Sequence, residues 1–84
     1  MKFGDRLIGQ LGKFRVTLER GGEDILVTLC DTAAQKVLGT DTAAIEEAFQ
    51  QAKEKAVVLI GRELNALTHE EFDRIRTNIT WRIP

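Results

Sequence analysis

The sequence predicts a small two-layer α+β domain, a mixed three- or four-stranded sheet packed with two main helices. Three observations carry this reading: an alternating hairpin over residues 13–30, an amphipathic stripe over about 42–54, and a second alternating run over 79–83. In the hairpin, Phe14, Val16 and Leu18 alternate with Arg15, Thr17 and Glu19, and Ile25, Val27 and Leu29 alternate on the return. This is the period of a half-buried strand. A two-residue turn at Gly21-Gly22 sets Leu18 opposite Ile25, Val16 opposite Val27 and Phe14 opposite Leu29, so all six share one face. It also pairs Arg20 with Glu23 and leaves Glu19 facing Asp24.

The stripe Ala44, Ile45, Ala48, Phe49 and Ala52 predicts a helix from Thr42 to about Glu54. Acids Asp41, Glu46 and Glu47 lie toward its start, and Lys53 and Lys55 toward its end, as the helix dipole favours. Ala56–Ile60 is apolar and β-branched, and Gly61 follows it, so it reads as a central strand. The competing reading is one helix from Thr42 to Leu67. Thr68 and Glu71 have capping-box spacing, with Leu67 placed for a staple against Phe72, which predicts a helix over about 69–77. Ile79, Trp81 and Ile83 then alternate with Thr80 and Arg82 as a last strand. Two further elements are expected: a short frayed helix in the first twelve residues, with Asp5 as N-cap, and a helix over Thr32–Leu38, capped by Asp31 and ended by Gly39.

The 84 residues form one domain, 43% hydrophobic and 30% charged, a balance that excludes a disordered or fibrous chain. The formal charge of −1 argues against generic polyanion binding. The ends are basic and the middle acidic: residues 1–20 carry five Lys/Arg against two acids, and residues 21–47 one lysine against six acids. Cys30, the single cysteine, has no internal disulfide partner. The longest apolar run is the five residues Ala56–Ile60, so no membrane span is expected. With no leader ahead of the hairpin, a cytoplasmic location is expected.

Catalytic apparatus is thin. The chain contains no serine and no tyrosine, and Cys30 has only the distant His69 as a potential base. His69 and Asp73, four apart on a helix, supply two ligands at most, and two are not a metal site. The glycines lack the spacing of a phosphate loop. No enzyme activity, metal or cofactor is therefore expected. The best constellation is the polar face of the sheet, where Arg15, Thr17, Thr28, Thr80 and Arg82 come together if the last strand joins the hairpin. Arg20, Arg74 and Arg76 would extend it as a basic rim. Arginine favours bidentate contact with carboxylate or phosphate. The competing reading is a solvated face balanced by Glu19 and Asp24. A central strand apolar on both faces would also need cover from a helix or from a second chain, which makes a homodimer a candidate. The expected function is a non-enzymatic protein–protein interaction module, of the accessory, assembly or inhibitor type that phages and mobile elements carry. Its partner-binding candidates are Arg15, Thr17, Arg20, Arg74, Arg76 and Arg82. The alternative is a small nucleic-acid-binding or regulatory domain holding phosphate through the same arginines.

Overall fold

Gly12 and Gly22 set the geometry of the sheet. Each takes a positive φ, +57° and +60°, at the first central position of a two-residue turn, Gly12-Lys13 and Gly22-Glu23. The residue that follows each glycine does not, which is the pattern of a type II′ hairpin turn. The computed structural model describes residues 6–44 and 48–84. In chain order it has β1 (Arg6–Leu11), β2 (Phe14–Gly21), β3 (Asp24–Asp31), β4 (Lys36–Ala44), α1 (Ala48–Glu63), α2 (His69–Asn78) and β5 (Thr80–Arg82). The sheet order is β4-β3-β2-β1-β5, and every neighbouring pair is antiparallel.

The α+β class stands, and so does the shared face of the hairpin: Phe14, Val16, Leu18, Ile25, Val27 and Leu29 are all buried. The register differs by two residues. Leu18 pairs with Val27 and Val16 with Leu29, because the turn sits at Gly22-Glu23 rather than Gly21-Gly22. A shift of two leaves each side chain on its face, whereas a shift of one would turn the apolar set out to solvent. It also removes the expected Glu19–Asp24 opposition and the Arg20–Glu23 pair. Arg20 instead lies opposite Ile25, and Glu19 accepts from Arg6 at 3.0 Å.

Four further expectations are corrected. Arg6–Leu11 is a strand, not a frayed helix, since it closes on β2 through the Gly12 turn and alternates Leu7, Gly9 and Leu11 toward the core. Residues 1–5, with the Asp5 cap, lie outside the described residues. Asp31 does accept from the N–H groups of Ala33 and Ala34, at 2.9 and 3.0 Å, but the cap closes only a turn. The chain then leaves as β4, with Gly39 inside the strand and a bulge opposite Leu29/Cys30. Thr42 accordingly belongs to β4, and the helix expected from it is described only from Ala48.

Ala56–Ile60 is the middle of α1, so the sheet has no central strand there and is antiparallel rather than mixed. Ala52, Ala56, Val57, Leu59 and Ile60 form the buried stripe of this helix. The lysines read as a helix end are mid-helix and reach the sheet margins. Lys53 Nζ lies 5.5 Å over the Trp81 ring, and Lys55 Nζ is 3.9 Å from Asp41. Gly61 is tolerated inside α1 because a Cβ there would lie only 2.3 Å from the Phe72 ring, so its absence admits α2. At the start of α2, the Glu71 N–H donates to Thr68 Oγ1 at 3.2 Å, as the capping spacing predicts. The staple is not made: Leu67 is 88% exposed, and Phe72 packs on Gly61 instead. β5 then pairs with β1, setting Trp81 against Gly9 on the helix-covered face.

Candidate functional site

The register sorts every described strand residue onto one of two faces. The core beneath α1 and α2 takes the face of Val16, Leu18, Val27 and Leu29. On the opposite face, pairing aligns Arg82, Ile8, Thr17, Thr28 and Thr40 in one row across the five strands. A second row runs Thr80, Gln10, Arg15, Cys30 and Val37. A third contains Arg6, Glu19, Leu26 and Thr42. Among the described residues no helix covers this face. Leu26 and Val37 are 45% and 59% exposed on it.

Arg15, Thr17, Thr28, Thr80 and Arg82 thus share the open face, although β1 separates β5 from the hairpin. Arg15 and Arg82 are consequently about 12 Å apart, two strands across and two residues along. The remaining candidates lie elsewhere. Arg20 is on the helix side, its guanidinium 5.6 Å over the Phe49 ring. Arg76 clamps α2 to α1, donating from Nε to Glu54 at 2.7 and 3.0 Å and from Nη1 to Asp73. Its hydrogen bond to Glu54, aided by the charges of Glu54 and Asp73, raises its pKa further, so it remains a fixed cation. Arg74 is exposed on α2, at a cleft of about 370 Å³ floored by Leu11, Ala66 and Ile75.

Sequence reasoning missed Ile8, Gln10, Leu26 and Val37 as members of this surface, and Lys36 at its margin. Leu26 carried a readable signal, since it is an apolar residue at a polar-face position of an otherwise alternating strand. The others depended on recognising β1 and β4.

The Cys30 end of the face is concave. A hollow of about 530 Å³ lies there, lined by Arg15, Thr17, Cys30, Gln35, Lys36 and Val37. Its rim loop is pinned to the β1–β2 turn: the Thr32 N–H and Oγ1 both donate to the Lys13 carbonyl, at 2.9 and 2.8 Å. Asp31 anchors the same loop. The hydrogen bond from the Ala34 N–H, with the charge of Lys13 and the Ala33 N–H, holds its carboxyl below the ordinary value of 3.8. A depressed folded pKa stabilises the fold above the unfolded value, and that contribution is lost as pH falls through the folded one. Asp31→Asn is therefore expected to be less stable than the parent at neutral pH, with the gap narrowing at acid pH, below the ordinary carboxylate value. Urea midpoints at the two pH values check this, and a gap unchanged by pH contradicts it.

His69 Nε2 and Asp73 Oδ2 are 3.7 Å apart on the exposed side of α2. Among the described residues, no three His, Cys, Asp or Glu side chains are grouped to hold a metal ion, and no helix is long and apolar enough to cross a membrane. Comparison with family models, with curated proteins and with solved structures finds no match for this chain.

Proposed function

We propose that this protein is a non-enzymatic interaction module that docks on a protein partner through the open face of its sheet. One observation carries the reading: α1 and α2 both pack on one face, and the other presents aliphatic side chains among threonines and arginines. Leu26 and Val37 are exposed on this face, and a docked surface would remove their apolar area from water. Interfaces mix such apolar contacts with arginine and hydroxyl groups. Threonine hydroxyls both donate and accept, so the face can satisfy a partner's polar groups without charge.

Phosphate recognition is less well supported. Stacking on bases needs exposed rings, whereas Phe14 is 7% exposed and Trp81 lies against Gly9 on the helix-covered face. The homodimer expectation rested on an apolar central strand at 56–60, and α1 now occupies that segment.

Capture of partners by the tagged chain from its native host tests the proposal, with four forms compared. The parent and Arg62→Gln, altered on exposed α1, are expected to retain one common partner. Leu26→Glu is expected to lose it while keeping its thermal midpoint, since a half-exposed substitution shifts stability by no more than about 1 kcal/mol. A partner retained equally by Leu26→Glu and by Val37→Glu contradicts docking through this face.

A further inference from the structure

We propose that the hollow at the Cys30 end of the open face is a carboxylate anchor, where Arg15 and Lys36 receive an acidic side chain from an extended segment of the protein partner. The proposal rests on the docking reading and adds the chemistry of what docks.

The first support is a positioned arginine. Gln10 Nε2 donates to the carbonyls of Gly12 and Phe14, at 2.8 and 3.1 Å, which fixes the amide and directs its Oε1 at β2. Arg15 Nε donates to that oxygen at 3.3 Å. The guanidinium is thereby held through one nitrogen, and its terminal N–H groups are left for another acceptor. A guanidinium held in this way loses little side-chain entropy when a planar, two-oxygen acceptor arrives.

The second support is an uncompensated charge. Among the described residues no carboxylate lies within ion-pair distance of Arg15 or Lys36. Asp31, the one acid that lines the hollow, is already engaged. Its Oδ1 accepts from Ala33 and Ala34, and its Oδ2 is 3.5 Å from Lys13 Nζ. Glu19, the acid of the neighbouring row, is held by Arg6 at 3.0 Å. Arg15 thus faces solvent in the hollow, and Lys36 lines its rim where β4 begins, beside exposed Val37 and half-buried Cys30 and Thr17.

This combination fits a carboxylate on a chain with aliphatic neighbours better than a polyphosphate. Among the described residues, nucleic acid would meet only these two cations locally, on a chain of net charge −1, and would find no exposed ring on the face. An acidic side chain needs no more than one arginine fork and one ammonium, with Val37 available to an adjoining aliphatic residue.

Amide chemical shifts of the ¹⁵N-labelled full chain test the assignment, with three probes. These are the blocked peptide Ala-Glu-Val-Glu-Ala, the same peptide with Gln for Glu, and a short oligothymidylate. The acidic peptide is expected to shift the amides of Arg15, Cys30 and Val37. Its affinity should fall about tenfold in Arg15→Gln and in Lys36→Gln, the loss of one charge-assisted contact. Equal binding of the Gln peptide, displacement by oligothymidylate, or the absence of shifts at these amides overturns the anchor. Partner capture separates it from the docking reading. A partner retained by Arg15→Gln and Lys36→Gln but lost by Leu26→Glu overturns the anchor alone, and one retained by all three overturns both.

Discussion

Val16→Asp is expected to leave the chain unfolded at room temperature. Val16 has no exposed surface and sits mid-sheet, between Gly9 of β1 and Leu29 of β3, on the face beneath the helices. An aspartate there would lie in the apolar core cluster, and an uncompensated buried charge costs about 3–5 kcal/mol. With the lost burial of Val16, about 1.5–3 kcal/mol, the total cost is about 5–8 kcal/mol, which exceeds the lower part of the roughly 4–13 kcal/mol that a domain of this length has. The informative control is the next residue. Thr17 is on the open face, and Thr17→Asp should keep a cooperative thermal transition. Far-ultraviolet circular dichroism and Trp81 fluorescence read both variants. A native-like Val16→Asp would show that the two faces have been assigned the wrong way round. Because a two-residue slip preserves faces, this pair tests the orientation of the hairpin and not its register.

Gly61→Val is expected to be the second most damaging change, lowering the thermal midpoint by roughly 8–16 °C, the equivalent of about 2 kcal/mol. The added Cβ would stand 2.3 Å from Phe72 Cε1 and 3.0 Å from Cδ1 and Cζ, so α2 must retreat or the ring must leave its seat. Gly61→Ala should cost less, since alanine recovers about 1 kcal/mol of helix propensity against the same contact. Pairing Gly61→Ala with Phe72→Leu should recover part of that loss, because the smaller side chain vacates the contact. Thermal denaturation of the parent, of Gly61→Ala and Phe72→Leu singly, and of the double variant checks the coupling. A Gly61→Val protein as stable as the parent would mean that α2 does not pack across this glycine.

Periodicity was a reliable guide where it was long and strict. The faces of β2 and β3, the existence of α2 and the alternation of β5 all follow from spacing that no helix–strand ambiguity blurs. It failed where the run was short. Ala56–Ile60 has the composition of a strand, and Gly61 resembles a break. Only the Phe72 ring against α1 explains why a glycine belongs inside that helix. Lys53 and Lys55 misled for a related reason, since they serve Trp81 and Asp41 rather than a helix terminus. β1 was hidden by the helical spacing of Phe3, Leu7, Ile8 and Leu11, in a stretch that also contains Gly4, Gly9 and Gly12. One of them, Gly9, is there to accept the Trp81 ring, a contact between strands 72 residues apart in sequence. β4 is an edge strand with a bulge, and Val37, Gly39, Thr40 and Thr42 carry little alternation.

The candidate site was legible in part. Arg15, Thr17 and Arg82 were placed on one face from the strand pattern alone, and the structure sets them there with Thr28 and Thr80. Arg20, Arg74 and Arg76 could not be placed, because their positions depend on which helix covers which edge. Arg20 meets Phe49, and Arg76 is committed to Glu54 and Asp73. The hollow was illegible, since it requires the Thr32–Gln35 turn and a β4 that the sequence did not announce.

Cys30 offers the most direct test of the claim that the open face is the docking surface. It is the single thiol of the chain, half-buried between Arg15 and Val37 in one row of the open face. The measurement is its rate of alkylation by iodoacetamide, in the free protein and in the complex captured from the native host. Docking on the open face predicts that the free protein is modified steadily and that the complex is protected by about tenfold or more, the signature of a thiol shut off from reagent. A rate unchanged by complex formation would place the partner elsewhere on the molecule and contradict the account.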